Sequence, residues 1–338
     1  MKKRKKYSLV VLIYLLSIPT LLLGQDHLQT AQKTITKQIT IGNNGELVVN
    51  NQYGDVTIKR WKFKSALVQV TITGQSAELA RANALIRYVK IKTGTKDGTA
   101  GFETIIDTAS QHIDPSSGEQ CHINFTLFVP RGLKLCVSNR FGNIYIKSFD
   151  GDLTVDERFG DLKVGHIAGS VKFNVQQGNT DIDHFPGGLL NLKGFNTVRV
   201  GELAGNVDAQ FSSGGKVDLG LTGDLLRLNL VADNVRPIIL TNLKIVNADL
   251  KIHSTLSKTI YNGRILLKLL PLKISPQADS LASAKRDTSQ KSREKLLDLK
   301  KLSLNVSMMK NQEFRLKTGH ATTEISIKAS FCVVEITD

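Results

Sequence analysis

Residues 141–164 read FGNIYIKSFDGDLTVDERFGDLKV. Phe-Gly-Asn-Ile-Tyr-Ile returns as Phe-Gly-Asp-Leu-Lys-Val after 18 residues, and Asp-Gly-Asp-Leu-Thr-Val falls midway between them. Cut into nines from Phe141 to Leu230, the chain has glycine at the second position in nine of ten units, the exception being Asn196. The third position is always Asn, Asp, Ser, Thr or Gly, the fourth is apolar in eight units and the sixth in seven. That is strand alternation broken by a tight turn at a fixed interval, the mark of an internal repeat. Glycine with asparagine as its one replacement predicts a left-handed backbone at the second position.

A longer period lies above the nine. Phe141, Phe159 and Phe195 precede the turn in odd-numbered units, and Phe149, Ile167, Phe185, Leu203 and Leu221 recur every 18 residues at the ninth position. The repeat is therefore 18 residues with two unlike strand-turn halves. It predicts an all-β, single-chain β-solenoid (β-helix), in which apolar columns fill the interior and Asn, Asp and Thr line the corners. Coils about 4.8 Å apart would give five coils a height of roughly 24 Å. The register slips near Leu189–Leu192 and again at Lys216–Leu219, where one extra residue points to bulges. Tyr53-Gly54-Asp55-Val56-Thr57-Ile58 matches the unit as well, which makes the N-terminal part an elaborated start to the same stack.

The bulk numbers agree with an exported β protein. The 338 residues are 41% hydrophobic and 22% charged, with 27 glycines and 6% aromatics. Met1–Lys6 supplies five positive charges, the apolar run 7–23 follows, and Gly24 ends it. This order is that of a secretory signal peptide, 1–24, and Pro19 argues against a permanent membrane helix. Cleavage leaves 40 basic residues against 30 acidic ones. A basic exported surface favours anionic partners such as an anionic glycan, lipopolysaccharide or an envelope protein. The basic residues read as scattered and not interleaved with aromatics, which speaks against nucleic acid.

Four further segments complete the organisation: a β-rich flank at 26–130, repeats at 131–274, a polar basic insert at 275–300 and closing strands at 301–338. Within the flank, Ser76-Ala-Glu-Leu-Ala-Arg-Ala-Asn-Ala-Leu-Ile-Arg changes period, predicting one helix N-capped by Ser76, with Leu79, Ala82, Leu85 and Ile86 on its buried face. The flanks are natural covers for the ends of a stack. Cys121, Cys136 and Cys332 cannot all pair, and the first two are expected on neighbouring strands without facing each other; all three read as buried free thiols.

Three stretches, VVNNQYGDVTI, FVPRGLKLCVSNRFGNIYI and TVDERFGDLKV, together with the leader, resemble a bacterial family called the "putative adhesin" family, related to the head domain of auto-transporter adhesins. The likeness covers most of residues 45–250. It implies a β-solenoid exported beyond the inner membrane and acting as a binding or scaffold module, with no catalytic residue to carry over. The basic insert departs from the family pattern.

Several constellations bear on chemistry. Calcium-binding nonapeptide rolls share the nine-residue step but need more glycines and an aspartate in each turn, whereas Asp152, Asp161 and Asp224 are interrupted by other residues. His166, His184 and Glu202 share one column, one per coil, a set that could ligate Zn²⁺ but reads more simply as an exposed strand end. Asp181, Asp183, Asp150 and Asp152, with Arg199 on a neighbouring coil, are the carboxylates a glycan lyase or hydrolase would use. Compact coils with minimal loops leave little to exclude water, so these read as turn and solubility residues. The sequence thus points to no enzyme, no catalytic, cofactor or metal site, and no cofactor. An accessory role in envelope stress, with the basic insert on an anionic surface, is the third alternative.

Overall fold

The computed structural model describes residues 28–40, 45–107, 113–242, 248–255, 258–262, 312–317, 323–330 and 333–337. The leader 1–24, the insert 275–300 and Cys332 lie outside the described residues. The regular elements of the described residues are all strands, apart from one helix and a single 3₁₀ turn.

Successive strands alternate between two parallel ladders, and each residue pairs with the one a coil ahead. In the first ladder, Lys134–Arg140, Leu153–Arg158 and Val171–Gln176 are joined with Leu135↔Leu153↔Val171 in register. In the second, Ile144–Asp150, Leu162–Ala168 and Thr180–Phe185 are joined with Ile144↔Leu162↔Thr180 in register. This is the coil stacking that an 18-residue period demands. The long strands Thr197–Gly214 and Lys216–Val235 each contribute one half to either ladder.

The unit at Tyr53 is indeed the first coil: Leu47 pairs Leu135 in the first ladder and Ile58 pairs Ile146 in the second. Between that coil and the next, residues 65–129 are inserted as a cover. Ser65–Ser76 runs antiparallel to Gln120–Val129, and Val89–Lys96 runs antiparallel to Thr99–Ile106, each pair closing the end of one ladder. Gln29–Thr40 adds a further antiparallel strand. The helix Leu79–Arg87 packs on these strands through Ala82, Leu85 and Ile86. Its N-cap is Glu78, not Ser76, which still belongs to the preceding strand, and Leu79 is exposed. At the other end, Gln312–Lys317 runs antiparallel to Ala248–Thr255. No helix among the described residues is long and apolar enough to cross a membrane.

Two details of the repeat differ from expectation. The slip near Leu190 is one residue short, not long, since Val171 pairs Gly188 at a step of 17. The slip at Lys216 is the predicted extra residue, with Thr197 paired to Lys216. The second difference lies at the odd corners, where the left-handed residues are Tyr53 (φ 60°), Phe141 (59°), Phe159 (61°) and Gln177 (57°), each preceding the repeat glycine. Gly142, Gly160 and Gly178 are needed for another reason: a Cβ on any of them would strike the carbonyl oxygen of the repeat glycine in the coil beneath. Asn196 is not left-handed, so its place in the pattern has no such explanation. Here the corner changes, and Phe195 turns inward onto Phe211 at 6.1 Å.

The corners are tied by side chains. A side-chain oxygen accepts from the backbone N–H one coil on in an unbroken series: Asn124 to Asp55 (2.8 Å), Asp55 to Asn143 (2.8 Å), Asn143 to Asp161 (2.9 Å), Asp161 to Asn179 (2.7 Å) and Asn179 to Thr197 (3.0 Å). Each bond satisfies an amide that the turn leaves out of the ladders. Removing one acceptor with Asp161→Ala is expected to cost about 1 kcal/mol, read as a lower urea midpoint with an unchanged m-value.

The interior is Leu, Ile, Val and Phe, with Phe149, Phe173, Phe185 and Phe211 fully buried. One column is polar. Thr104 donates to Asn51 (2.9 Å), Asn51 donates to Asn139 (3.1 Å) and to the Ile123 carbonyl (2.9 Å), and Glu157 follows one coil on, with none of its surface exposed. Among the described residues Glu157 Oε1 and Oε2, Asn139 Nδ2 and, from the facing ladder, Thr180 Oγ1 meet no partner in good hydrogen-bond geometry, although the Asn139 amide faces the Glu157 carboxyl. Burial, ahead of the repulsion from Asp156 and Asp55, pushes the Glu157 carboxyl up to about 9, so it is protonated at neutral pH.

Cys121 and Cys136 are free and half-buried. They sit on different ladders, not on neighbouring strands, because Gln120–Val129 belongs to the second ladder and Lys134–Arg140 to the first. Burial raises the Cys121 thiol to about 11, which keeps it protonated and unreactive. Burial also raises Cys136, whose thiol donates to Glu46 at 3.2 Å.

Candidate functional site: a polar groove on the second ladder

Inward residues in the first ladder alternate regularly, as in Leu153, Val155 and Glu157. The second ladder breaks step: Val164 and Ile167 both point inward, with Gly165 and His166 outward between them. Two consecutive outward residues require a bend, and ladder pairing is interrupted at the same column, Lys147–Gly165–Asp183–Gly201, in each coil. Close stacking at the bend explains two of its glycines, because a Cβ on Gly165 would strike the Lys147 carbonyl oxygen and one on Gly220 that of Gly201.

The bend carries an open groove of about 830 Å³ across four coils. Tyr145 and Lys147 come from the first of these coils, Lys163 and His166 from the second, Asp183 and His184 from the third, Arg199 and Glu202 from the fourth. Three coil steps make the groove about 14 Å long.

Most of the residues singled out from sequence meet here. Arg199 Nη1 donates to Asp181 at 2.8 Å and to Asp183 at 3.3 Å, and this pairing holds the guanidinium above its ordinary value. His166 and His184 stack ring on ring at 4.7 Å, and His184 Nδ1 meets Glu202 at 3.1 Å. Parallel rings do not aim two nitrogens at one ion, and among the described residues no group of three or more His, Cys, Asp or Glu is arranged to hold a metal. Asp150 and Asp152 lie elsewhere. Asp150 is clamped at the opposite corner by Arg60 (2.8 Å) and Arg131 (3.1 Å), and Asp152 accepts from the Ser170 amide. Asp161 serves the corner series. Asp181 and Asp183 face water and share one arginine.

No protein-family model matches the chain, and no curated protein matches it. Solved structures do. The chain is similar to a putative cell adhesion protein from Clostridium sporogenes at 11% identity, covering 91% of this chain and 99% of that one, with a TM-score of 0.24. It is similar to a putative adhesin from Bacteroides fragilis at 12% identity, covering 90% and 97%, with a TM-score of 0.28. A putative adhesin from Parabacteroides merdae is 16% identical over 62% of this chain and 87% of that one, with a TM-score of 0.30. Their names are those of the family the sequence resembles. Likenesses this distant carry nothing about function; the groove must be judged on its own chemistry.

Sequence reasoning missed Lys147, Lys163 and Tyr145 as lining. The readable signal was the seventh position of the unit, glycine at Gly165 and Gly201, where a strand facing solvent has no other reason to lack a side chain. Charge in the groove is segregated. Lys147 and Lys163 form no ion pair among the described residues, while the acidic end is held by Arg199 and His184.

Proposed function

We propose that the chain is an exported, non-catalytic binding module of a bacterial envelope, adhesin-like in kind, which holds an acidic glycan in the groove of the second ladder. The observation that carries the reading is that Lys147 and Lys163, which form no ion pair among the described residues, line one open groove together with the carboxylates of the next coils. A sugar carboxylate fits the lysine end by charge. Asp183 and Glu202 accept from sugar hydroxyls, and the Tyr145 ring, 38% exposed, offers an apolar face to a pyranose. Export rests on the basic-then-apolar leader.

The double variant Lys147→Glu/Lys163→Glu is expected to weaken binding of a polyuronate at least about tenfold by isothermal titration, each lysine contributing a charge-assisted contact. A neutral glucan serves as the reference ligand. Equal affinity of variant and wild type, or release of shortened sugars by the wild type, would overturn the reading.

A further inference from the structure

The chain's single tryptophan stands where the first coil leaves the second ladder for the inserted cover. Between the strands Val56–Arg60 and Ser65–Ser76 the chain bends through Trp61-Lys62-Phe63-Lys64. With Lys59 and Arg60 the run is Lys-Arg-Trp-Lys-Phe-Lys, four cations and two aromatics with no acid. Here basic residues and aromatics do interleave, contrary to the reading of the charge as scattered.

The cluster is packed and hydrogen-bonded in place. Phe63 meets Trp61 edge-on at 5.0 Å and Trp61 packs on Phe128 at 5.7 Å. The Trp61 amide donates to the Val129 carbonyl at 3.0 Å, and its indole N–H donates to the Ser65 carbonyl. Lys59 Nζ lies 5.6 Å over the Phe128 ring and Lys62 Nζ 5.7 Å over Phe63. Phe63 nonetheless leaves 55% of its surface in water. Arg60 is engaged by Asp150, whereas Lys59, Lys62 and Lys64 form no ion pair among the described residues.

An aromatic tip ringed by ammonium groups that form no ion pair among the described residues matches the chemistry of a bilayer's headgroup layer. Rings settle at the boundary between headgroups and acyl chains while lysines reach anionic phosphates. A single-stranded nucleic acid needs successive free ring faces along a groove. Trp61 packs against Phe63 and Phe128, so the tip presents one largely exposed ring, Phe63, and not a row of free ring faces. We propose that this tip docks the protein on an anionic lipid surface, with Phe63 and Trp61 entering the headgroup region and Lys59, Lys62 and Lys64 contacting lipid phosphates. The site shares no residue with the glycan groove, so either reading can fail alone.

Trp61 is its own probe. With the full chain and mixed phosphatidylcholine–phosphatidylglycerol vesicles, its emission is expected to shift to the blue and to be quenched by lipids brominated on the acyl chain. Phe63→Ser removes the most exposed ring without touching the core and is expected to lower vesicle affinity about tenfold. Lys62→Gln/Lys64→Gln is expected to lower it about thirtyfold, an effect that added salt reproduces. Co-sedimentation with Trp61 emission unchanged would assign binding to another segment and overturn the proposal. So would full quenching in Phe63→Ser, or an emission shift produced by a single-stranded oligonucleotide and not by vesicles.

Discussion

Gly160→Ala is expected to destabilise the protein by about 4 kcal/mol, a large share of the 5 to 15 kcal/mol that typically holds a domain together. Gly160 is not left-handed, so alanine suits its backbone. The obstacle is the coil beneath, because the new methyl would overlap the Gly142 carbonyl oxygen and lie 2.7 Å from Glu157 Oε1. The carbonyl cannot retreat. Around this corner Phe141 and Ile144 donate to Arg158 and Asp161 of the next coil at 3.0 and 2.9 Å, and Phe159 and Leu162 repeat the bonds to Gln176 and Asn179, both at 2.9 Å. Opening the corner loosens these four bonds at about 1 kcal/mol each. Gly132→Ala is the control. Gly132 has φ 73° with nothing within 4 Å of the added Cβ, so only backbone strain of about 1 kcal/mol is expected. Urea unfolding followed by circular dichroism separates the two; equal costs would mean that the repeat glycines serve conformational freedom and not close stacking.

Stability is expected to decline from about pH 4.5 to 9, and Glu157→Gln is expected to remove most of that decline. The carboxyl titrates near 4.5 when unfolded and near 9 when folded, chiefly through loss of hydration. Below the lower value both states carry the proton and stability is full. Between the two the folded state keeps a proton that the unfolded state has released, so stability drops by about 1.4 kcal/mol per pH unit until the folded carboxyl ionises. By pH 7 the loss amounts to about 3 kcal/mol. Glutamine keeps the shape and cannot ionise, so the variant should exceed the wild type by about that amount at pH 7 and match it near pH 4. Unfolding free energies measured at both pH values check this, and an equal gap at each would sink it.

The repeat arithmetic was legible because a stack imposes identical neighbours on every column. The 18-residue step, the inward Phe149–Ile167–Phe185 column and the Tyr53 coil are all visible as spacing. The corner's internal geometry was not. A glycine required by close approach and one required by φ look alike in sequence, and only coordinates move the left-handed residue onto Tyr53, Phe141 and Phe159. Glu157 sits among Asp156 and Arg158 and reads as a charged corner. Its parity with Leu153 and Val155 already placed it inside, but a buried carboxyl is too uncommon to expect from parity alone. Leu79 falls on the apolar stripe by spacing but stands in the first turn of the helix, ahead of the part that packs on the strands, and is exposed. In sequence the groove residues read singly, as a histidine column and a carboxylate set, and the bend that joins them lies hidden in the three-residue step from Val164 to Ile167.

The antiparallel strands closing the ladders also bear on self-association. A bare parallel coil offers an identical chain a template on which to add in register, which is how fibres grow. Here the N-terminal end of the first ladder finishes in Val89–Lys96, largely exposed and carrying Lys90, Lys92 and Lys96, and the second ends in Gln29–Thr40, carrying Lys33 and Lys37. An incoming copy meets reversed strand direction and a row of like charges. The repeat can therefore be long and regular inside one molecule without seeding a filament from that end.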